Sequence, residues 1–162
     1  MKILKKEKEG VILNRLEWED YFIEITKLVA KRSDCYSRQV GAIIVKNNRI
    51  LATGYNGSPS KMESCSERGY CIREDSKQGE NLRMCYAIHA EMNCIIQCAK
   101  MGICCEDGTL YVTTKPCSDC MKCIIQSGIR RVVYINDYNS PLTDELVRLS
   151  GIKCEQYKKG EM

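Results

Sequence analysis

Apolar side chains recur at helical spacing early in the chain. Tyr21, Phe22, Ile25, Leu28 and Val29 share a face, and Lys27, Lys31 and Arg32 gather toward its end. This pattern predicts a helix over 17–32. The period then changes. Val40-Gly41-Ala42-Ile43-Ile44-Val45 and Arg49-Ile50-Leu51-Ala52-Thr53-Gly54-Tyr55 flank Lys46-Asn47-Asn48, which predicts a β-hairpin. Residues 56–86 are polar, rich in Gly, Ser and Cys, and have little periodicity. A loop of that length inside a compact domain needs something other than apolar burial to organise it.

Regular patterning returns with a helix from about His89 to Met101, stopped by Gly102. A strand follows over Thr109–Thr113, then a helix that opens at Pro116 and stops at Gly128. Another strand covers Arg131–Ile135. A short helix over about Leu142–Leu149 ends before Gly151, and Ile152–Tyr157 is a last, weak strand. Two antiparallel strands followed by repeated α-β units imply helices on both faces of one sheet, an α/β sandwich. No repeat, low-complexity tract or linker divides the chain, so residues 1–162 are expected to form a single domain.

Composition narrows this picture. A chain of 162 residues, 44% of them hydrophobic, is long enough to bury one core. No apolar stretch is long enough to cross a bilayer. The start, Met1-Lys2-Ile3-Leu4-Lys5-Lys6-Glu7-Lys8-Glu9, is charged and lacks the apolar segment of a secretory signal, which points to the cytoplasm. The net charge of +4, from 25 basic and 21 acidic side chains, is too mild and mixed to announce a nucleic-acid binder. It does not oppose a small anionic substrate. The informative counts are 12 cysteines and one histidine. Without a secretory signal, so many cysteines read as thiols and metal ligands rather than disulfides.

The single histidine lies in His89-Ala90-Glu91, and Pro116-Cys117-Ser118-Asp119-Cys120 opens a later helix. Alone, each has a plain explanation: a surface or core histidine, a redox pair, half of a structural knuckle. Together they suit one metal site. Cys117 and Cys120 are three residues apart, so both sulfurs face one side of a first helical turn. The positive end of the helix dipole there favours thiolates, the form that zinc binds. With His89 the set has three protein ligands, which leaves a fourth tetrahedral position for water, as in catalytic rather than closed structural zinc sites. Glu91 is directed away from the ligand position and suits a proton shuttle beside the activated water. A structural knuckle would need a fourth ligand such as Cys123, and would leave His89-Ala90-Glu91 unexplained.

The pattern His-x-Glu with Pro-Cys-x-x-Cys resembles the signature of zinc-dependent nucleobase deaminases. Several further stretches, read together, resemble the deoxycytidylate (dCMP) deaminases. They are Arg32-Ser33-Asp34-Cys35, Val40-Gly41-Ala42, Gly54-Tyr55-Asn56-Gly57-Ser58-Pro59, His89-Ala90-Glu91-Met92-Asn93, Tyr111-Val112-Thr113 and Ser127-Gly128-Ile129. The resemblance covers roughly residues 18–157. It implies a three-layer α/β/α sandwich around a mixed five-stranded sheet. It also implies zinc-assisted attack of water on C4 of a cytosine ring, with Glu91 moving the protons, so that dCMP becomes dUMP for thymidylate synthesis. Asn56 is then expected to reach the sugar and Tyr138 to stack on the base. Arg38 is the first candidate to meet the phosphate and Lys115 the second, although a lysine there reads equally as a solvated surface charge. The resemblance further implies a homo-oligomer, often a hexamer, with dCTP and dTTP as effectors.

Some members of this family carry a second zinc, and Cys35 and Cys65 match ligands there. Cys71 and Cys85 lie in the same polar insertion, at about 60–86. Four thiolates from Cys35, Cys65, Cys71 and Cys85 would make a closed structural site and would order a segment that has no core of its own. Cys94, Cys98, Cys104, Cys105, Cys123 and Cys154 read as small buried hydrophobes. Two other functions remain open from sequence. One is a deaminase acting on another cytosine or adenine substrate, including nucleic acid, against which the aromatic content of only 7% argues. The other is a zinc-stapled accessory protein of DNA uptake without turnover, against which the intact Glu91 argues.

Overall fold

The computed structural model describes residues 15–77, 80–81 and 84–159; the charged start read above for a leader lies outside them. Helix α1 (Trp18–Ala30) leads to strands β1 (Gly41–Lys46) and β2 (Arg49–Tyr55). A single turn, α2 (Cys65–Arg68), precedes α3 (Ala90–Met101) and β3 (Thr109–Thr114). The remainder is α4 (Ser118–Gln126), β4 (Arg131–Asn136), α5 (Pro141–Ser150) and β5 (Lys153–Gln156). The sheet order is β2-β1-β3-β4-β5. β1 is antiparallel to β2 and β3, whereas β3, β4 and β5 run parallel. The sheet is therefore mixed and five-stranded, as the sequence predicts.

The hairpin closes on Asn47 and Asn48, with φ of 51° and 56°. Asparagine tolerates this left-handed geometry better than most residues, and tight hairpins require it. Strand alternation then sorts the core into two layers. Ala42, Ile44, Leu110, Val112 and Val132 face one side, with Cys94 and Cys98 of α3, Met121 and Ile124 of α4, and Leu146 and Val147 of α5. Ile43, Val45, Tyr111 and Val133 face the other, against Phe22 and Ile23 of α1. Both faces of β1, β3 and β4 are covered, which explains why these strands read as continuous apolar runs.

The structure departs from the sequence pattern at a few places. Both long site helices begin one or two residues later than predicted, with His89 and Cys117 as the residues before the first turn. The polar segment also contains α2, held by a capping box between Ser64 and Glu67. Its Ser-x-x-Glu signature is present in the sequence, but one turn is too short to show periodicity.

The approach of α3 to the sheet depends on Gly54. A Cβ there would fall on the carbonyl oxygen of Ala90 and lie 2.7 Å from the amide nitrogen of Cys94. At Gly57, by contrast, the nearest atom to an added Cβ is 3.8 Å away. Gly54→Ala is expected to destabilise the protein by about 1–3 kcal/mol, whereas Gly57→Ala stays within about 0.5 kcal/mol of wild type, both measured by urea unfolding. Equal stabilities for the two variants would contradict this account of the helix–sheet contact.

Candidate metal centre and catalytic pocket

Two backbone connections deliver the site. Ile88 and Gly57 exchange both amide hydrogen bonds, at 2.9 and 3.2 Å, so His89 emerges beside the end of β2. On the other side, Lys115 donates its amide to the carbonyl of Asn136 at 2.9 Å, which fixes the path from β3 to Cys117. His89 and Cys117 both have extended backbones, and neither side chain caps its own helix. Both are thus free to turn toward each other. Nδ1 of His89 lies 3.5 Å from Sγ of Cys117 and 3.3 Å from Sγ of Cys120.

These three ligand atoms lie within 4.8 Å of one another, and no other group of potential ligands among the described residues is gathered so closely. Their chemistry suits zinc: two sulfurs and one imidazole nitrogen. Metal bonds of about 2.0–2.3 Å meeting at a tetrahedral angle place S and N ligand atoms about 3.6 Å apart, close to the spacing seen. Cys123 is not part of the group, so the set remains one of three protein ligands.

Electrostatics prepares the same site. Cys117 is pulled down to about 4 by a hydrogen bond from the Cys120 thiol and then by His89, against the opposing effect of burial. Cys120 moves upward in return, because its proton is held by Cys117 and because it is buried. The His89 imidazole is raised by its bond to Cys117. The opposed shifts pair one thiolate with a protonated neighbour, at the positive end of α4. Glu91, the second residue of α3, is only 4% exposed, and burial raises its carboxyl above the ordinary range.

These groups open into a cavity of about 330 Å³ whose wall includes Asn56, Arg38, Tyr138 and Lys115. The structure thus gathers every substrate-side residue nominated from sequence, but it gives two of them other work. Asn56 accepts from the Val40 amide at 2.8 Å and donates to the Arg38 carbonyl at 2.9 Å, so it pins the 33–40 loop to the end of β2. One amide hydrogen and one lone pair remain for a ligand. Lys115 is not a solvated surface charge. Its side chain is 11% exposed and forms ion pairs with Asp144 at 2.8 Å and Asp137 at 3.4 Å. Two carboxylates already satisfy the cation that was second choice for the phosphate.

Arg73, Ser76 and Lys77 of the insertion also line this cavity, and sequence reasoning did not single them out. The segment has no periodicity to mark which of its many polar residues turn inward. Cys35 and Cys85 share the cavity wall, Cys65 is buried close enough to feel the charge of Cys35, and Cys71 lines an adjoining cleft. Among the described residues these four thiols do not form a group like the one around His89. Of the other cysteines, Cys94, Cys98 and Cys105 are buried, Cys123 and Cys154 are half-buried, and Cys104 is exposed, against expectation.

Fold and site together define a class of α/β proteins that hold a metal between two helix N-termini beside a buried acid. The chain belongs to the family described as the cytidine and deoxycytidylate deaminase zinc-binding region, whose model matches residues 16–136. It is similar to ComE operon protein 2 of Bacillus subtilis (strain 168), 39% identical over 151 residues, or 93% of this chain and 76% of that protein. It is also 39% identical over 146 residues to deoxycytidylate deaminase of Schizosaccharomyces pombe, a match that covers 88% of this chain and 45% of the yeast protein. Among solved structures, dCMP deaminase from the cyanophage S-TIM5, in complex with dCMP and dUMP, matches with a TM-score of 0.73 and 31% identity. That match covers 86% of this chain and 96% of the phage chain.

The buried Glu91 has a consequence for stability. Because its folded-state pKa is raised, the folded state binds its proton more tightly than the unfolded chain does. Stability is therefore lost as pH rises from the ordinary value of 4.5 toward the folded one. In metal-free protein, Glu91→Gln is expected to raise the Tm at pH 7, with the gain vanishing below about pH 4. A lower Tm at pH 7 would show that the ionised carboxylate stabilises the fold instead.

Proposed function

We propose that this protein is a zinc-dependent dCMP deaminase, which hydrolyses dCMP to dUMP and ammonia. The observation that carries this reading is the convergence of His89, Cys117 and Cys120 beside the buried Glu91 at the cavity. His89 Nδ1 and the sulfurs of Cys117 and Cys120 would hold a zinc ion, whose chemistry there would be Lewis acidity and the acidification of water at neutral pH. Glu91 takes the proton of the attacking water, delivers it to N3 of the cytosine, and assists departure of the amine from C4. Burial suits it to this cycle, since by raising the proton affinity of the carboxyl it favours the uptake of a proton that the group later returns. Asn56 uses its remaining amide hydrogen or lone pair on the deoxyribose, Tyr138 stacks on the base, and Arg38 brings positive charge to the phosphate end.

The similarity to dCMP deaminases supports a place in cytoplasmic nucleotide metabolism, with dUMP passing to thymidylate synthesis. The same resemblance supports a single-domain homo-oligomer, hexameric in the fullest form, with dCTP and dTTP as effectors. A second, structural zinc would be held by Cys35 together with Cys65, Cys71 and Cys85 of the insertion. In support, Cys35 adjoins both Cys65 and the cavity that Cys85 lines. Metal binding would provide the ordering energy that this polar segment lacks.

The test is ammonia release by zinc-loaded protein supplied with dCMP, deoxycytidine, cytosine or a cytosine-containing oligonucleotide. Turnover of dCMP well above the others is expected; turnover of the oligonucleotide alone, or of none, overturns the reading. Glu91→Ala should retain its fold and metal while turnover falls roughly 10²–10⁴-fold. Near-normal activity in a metal-loaded Glu91→Ala protein would remove Glu91 from the chemistry. Metal analysis should find two zinc ions per chain, and Cys71→Ser or Cys85→Ser should release one and lower the Tm. One zinc in the folded, active protein would refute the second site.

A further inference from the structure

The cavity wall carries four basic side chains, Arg38, Arg73, Lys77 and Lys115. Lys115 is already paired with Asp137 and Asp144. Among the described residues the other three make no ion pair. They differ in how they are held. Arg38 and Lys77 are exposed, whereas Arg73 is half-buried. Arg73 donates from Nε to the carbonyl of Glu80 at 3.0 Å, and its own carbonyl accepts the amide of Ser76 at 3.0 Å. An arginine anchored through Nε keeps both terminal amino groups available, with its planar fork already oriented.

We infer that Arg73, presented by the polar insertion, is the specificity-determining residue that makes this site select a 5′-monophosphate over the corresponding nucleoside. The inference rests on the reading of the protein as a dCMP deaminase. The terminal amino groups of Arg73 meet two phosphate oxygens, the paired geometry that guanidinium forms best with phosphate. Pre-orientation lowers the rotamer entropy lost on binding, which an exposed, unanchored Arg38 or Lys77 must surrender in full. Those two residues contribute field at the mouth, and Arg73 contributes geometry. The position of the residue gives the insertion a task in catalysis: it brings a forked cation to a pocket whose own lysine is already neutralised.

The test compares wild type, R73Q and R73K on dCMP and deoxycytidine, and titrates each with dUMP and with deoxyuridine by calorimetry. Wild type should prefer dCMP. In R73Q the ratio of kcat/KM for dCMP to that for deoxycytidine should fall on the order of tenfold to a hundredfold, chiefly through KM, with dUMP affinity falling in parallel. R73K keeps a charge and loses the fork, so its ratio should lie between the two. A wild-type protein without preference for dCMP overturns the dCMP reading itself, and this inference with it. A wild-type preference that R73Q retains within about twofold overturns the assignment of Arg73 alone. If R73Q lowers the Tm and loses turnover of both substrates, R73K decides: a ratio unchanged from wild type overturns the forked contact, and a reduced one upholds it.

Discussion

His89 and Cys117 each stand just before a helix, with extended backbones and side chains that leave their own helix to meet the other. Much of the molecule serves to bring these two positions together. β3 lies at the centre of the sheet, between β1 and β4, so the exit of its chain toward Cys117 is fixed on both sides. α3 is drawn onto the sheet until Ala90 and Cys94 rest on Gly54, and Cys94 donates its thiol hydrogen to the Ala42 carbonyl at 3.1 Å. The Gly57–Ile88 bridge then sets the residue from which His89 projects. A slip of one residue in either connection would turn a ligand away from the cavity.

Such convergence carries an electrostatic cost. Two thiols, an imidazole and a carboxyl share a region in which Cys120 and Glu91 are almost fully buried. Without a cation the groups accommodate one another by holding protons, as the opposed displacements of Cys117 and Cys120 show. A divalent metal reverses that balance, because it turns mutual repulsion among thiolates into coordination. The burial that disfavours an ionised Glu91 in the resting protein also gives it a proton affinity suited to acid–base work. Stability and chemistry draw on the same placement.

The insertion follows a different logic. Its described residues include one capped turn, and it supplies Arg73, Ser76, Lys77 and Cys85 to the cavity. Apolar burial does not hold it. Tyr70, Met84 and Tyr86 in this segment are exposed, and Arg68 lies over the Tyr86 ring at 5.1 Å. Polar contacts such as those of Ser64 with Glu67 and of Arg73 with Glu80 give its described residues their course, and that course decides which charges face the cavity.

Periodicity alone was enough for the hairpin and the long helices, because buried faces repeat along the chain with the period of each element. Spacing was enough for the metal ligands, since Cys117 and Cys120 are separated by one helical turn and His89 has no competitor of its type. The roles of Asn56 and Lys115 were not legible. That an amide nominated for a sugar also pins a loop depends on Val40 and Arg38, and whether a lysine is free depends on Asp137 and Asp144; none of these partners is marked by any pattern. Arg73 was hidden for the same reason, in a segment whose residues have no repeating face. The sequence by itself determined the elements and nominated the group of possible metal ligands, because those follow from local period, spacing and residue type. Only the tertiary structure decided which charges are neutralised and which remain for a ligand, because pairing is a matter of distance between side chains far apart in the chain.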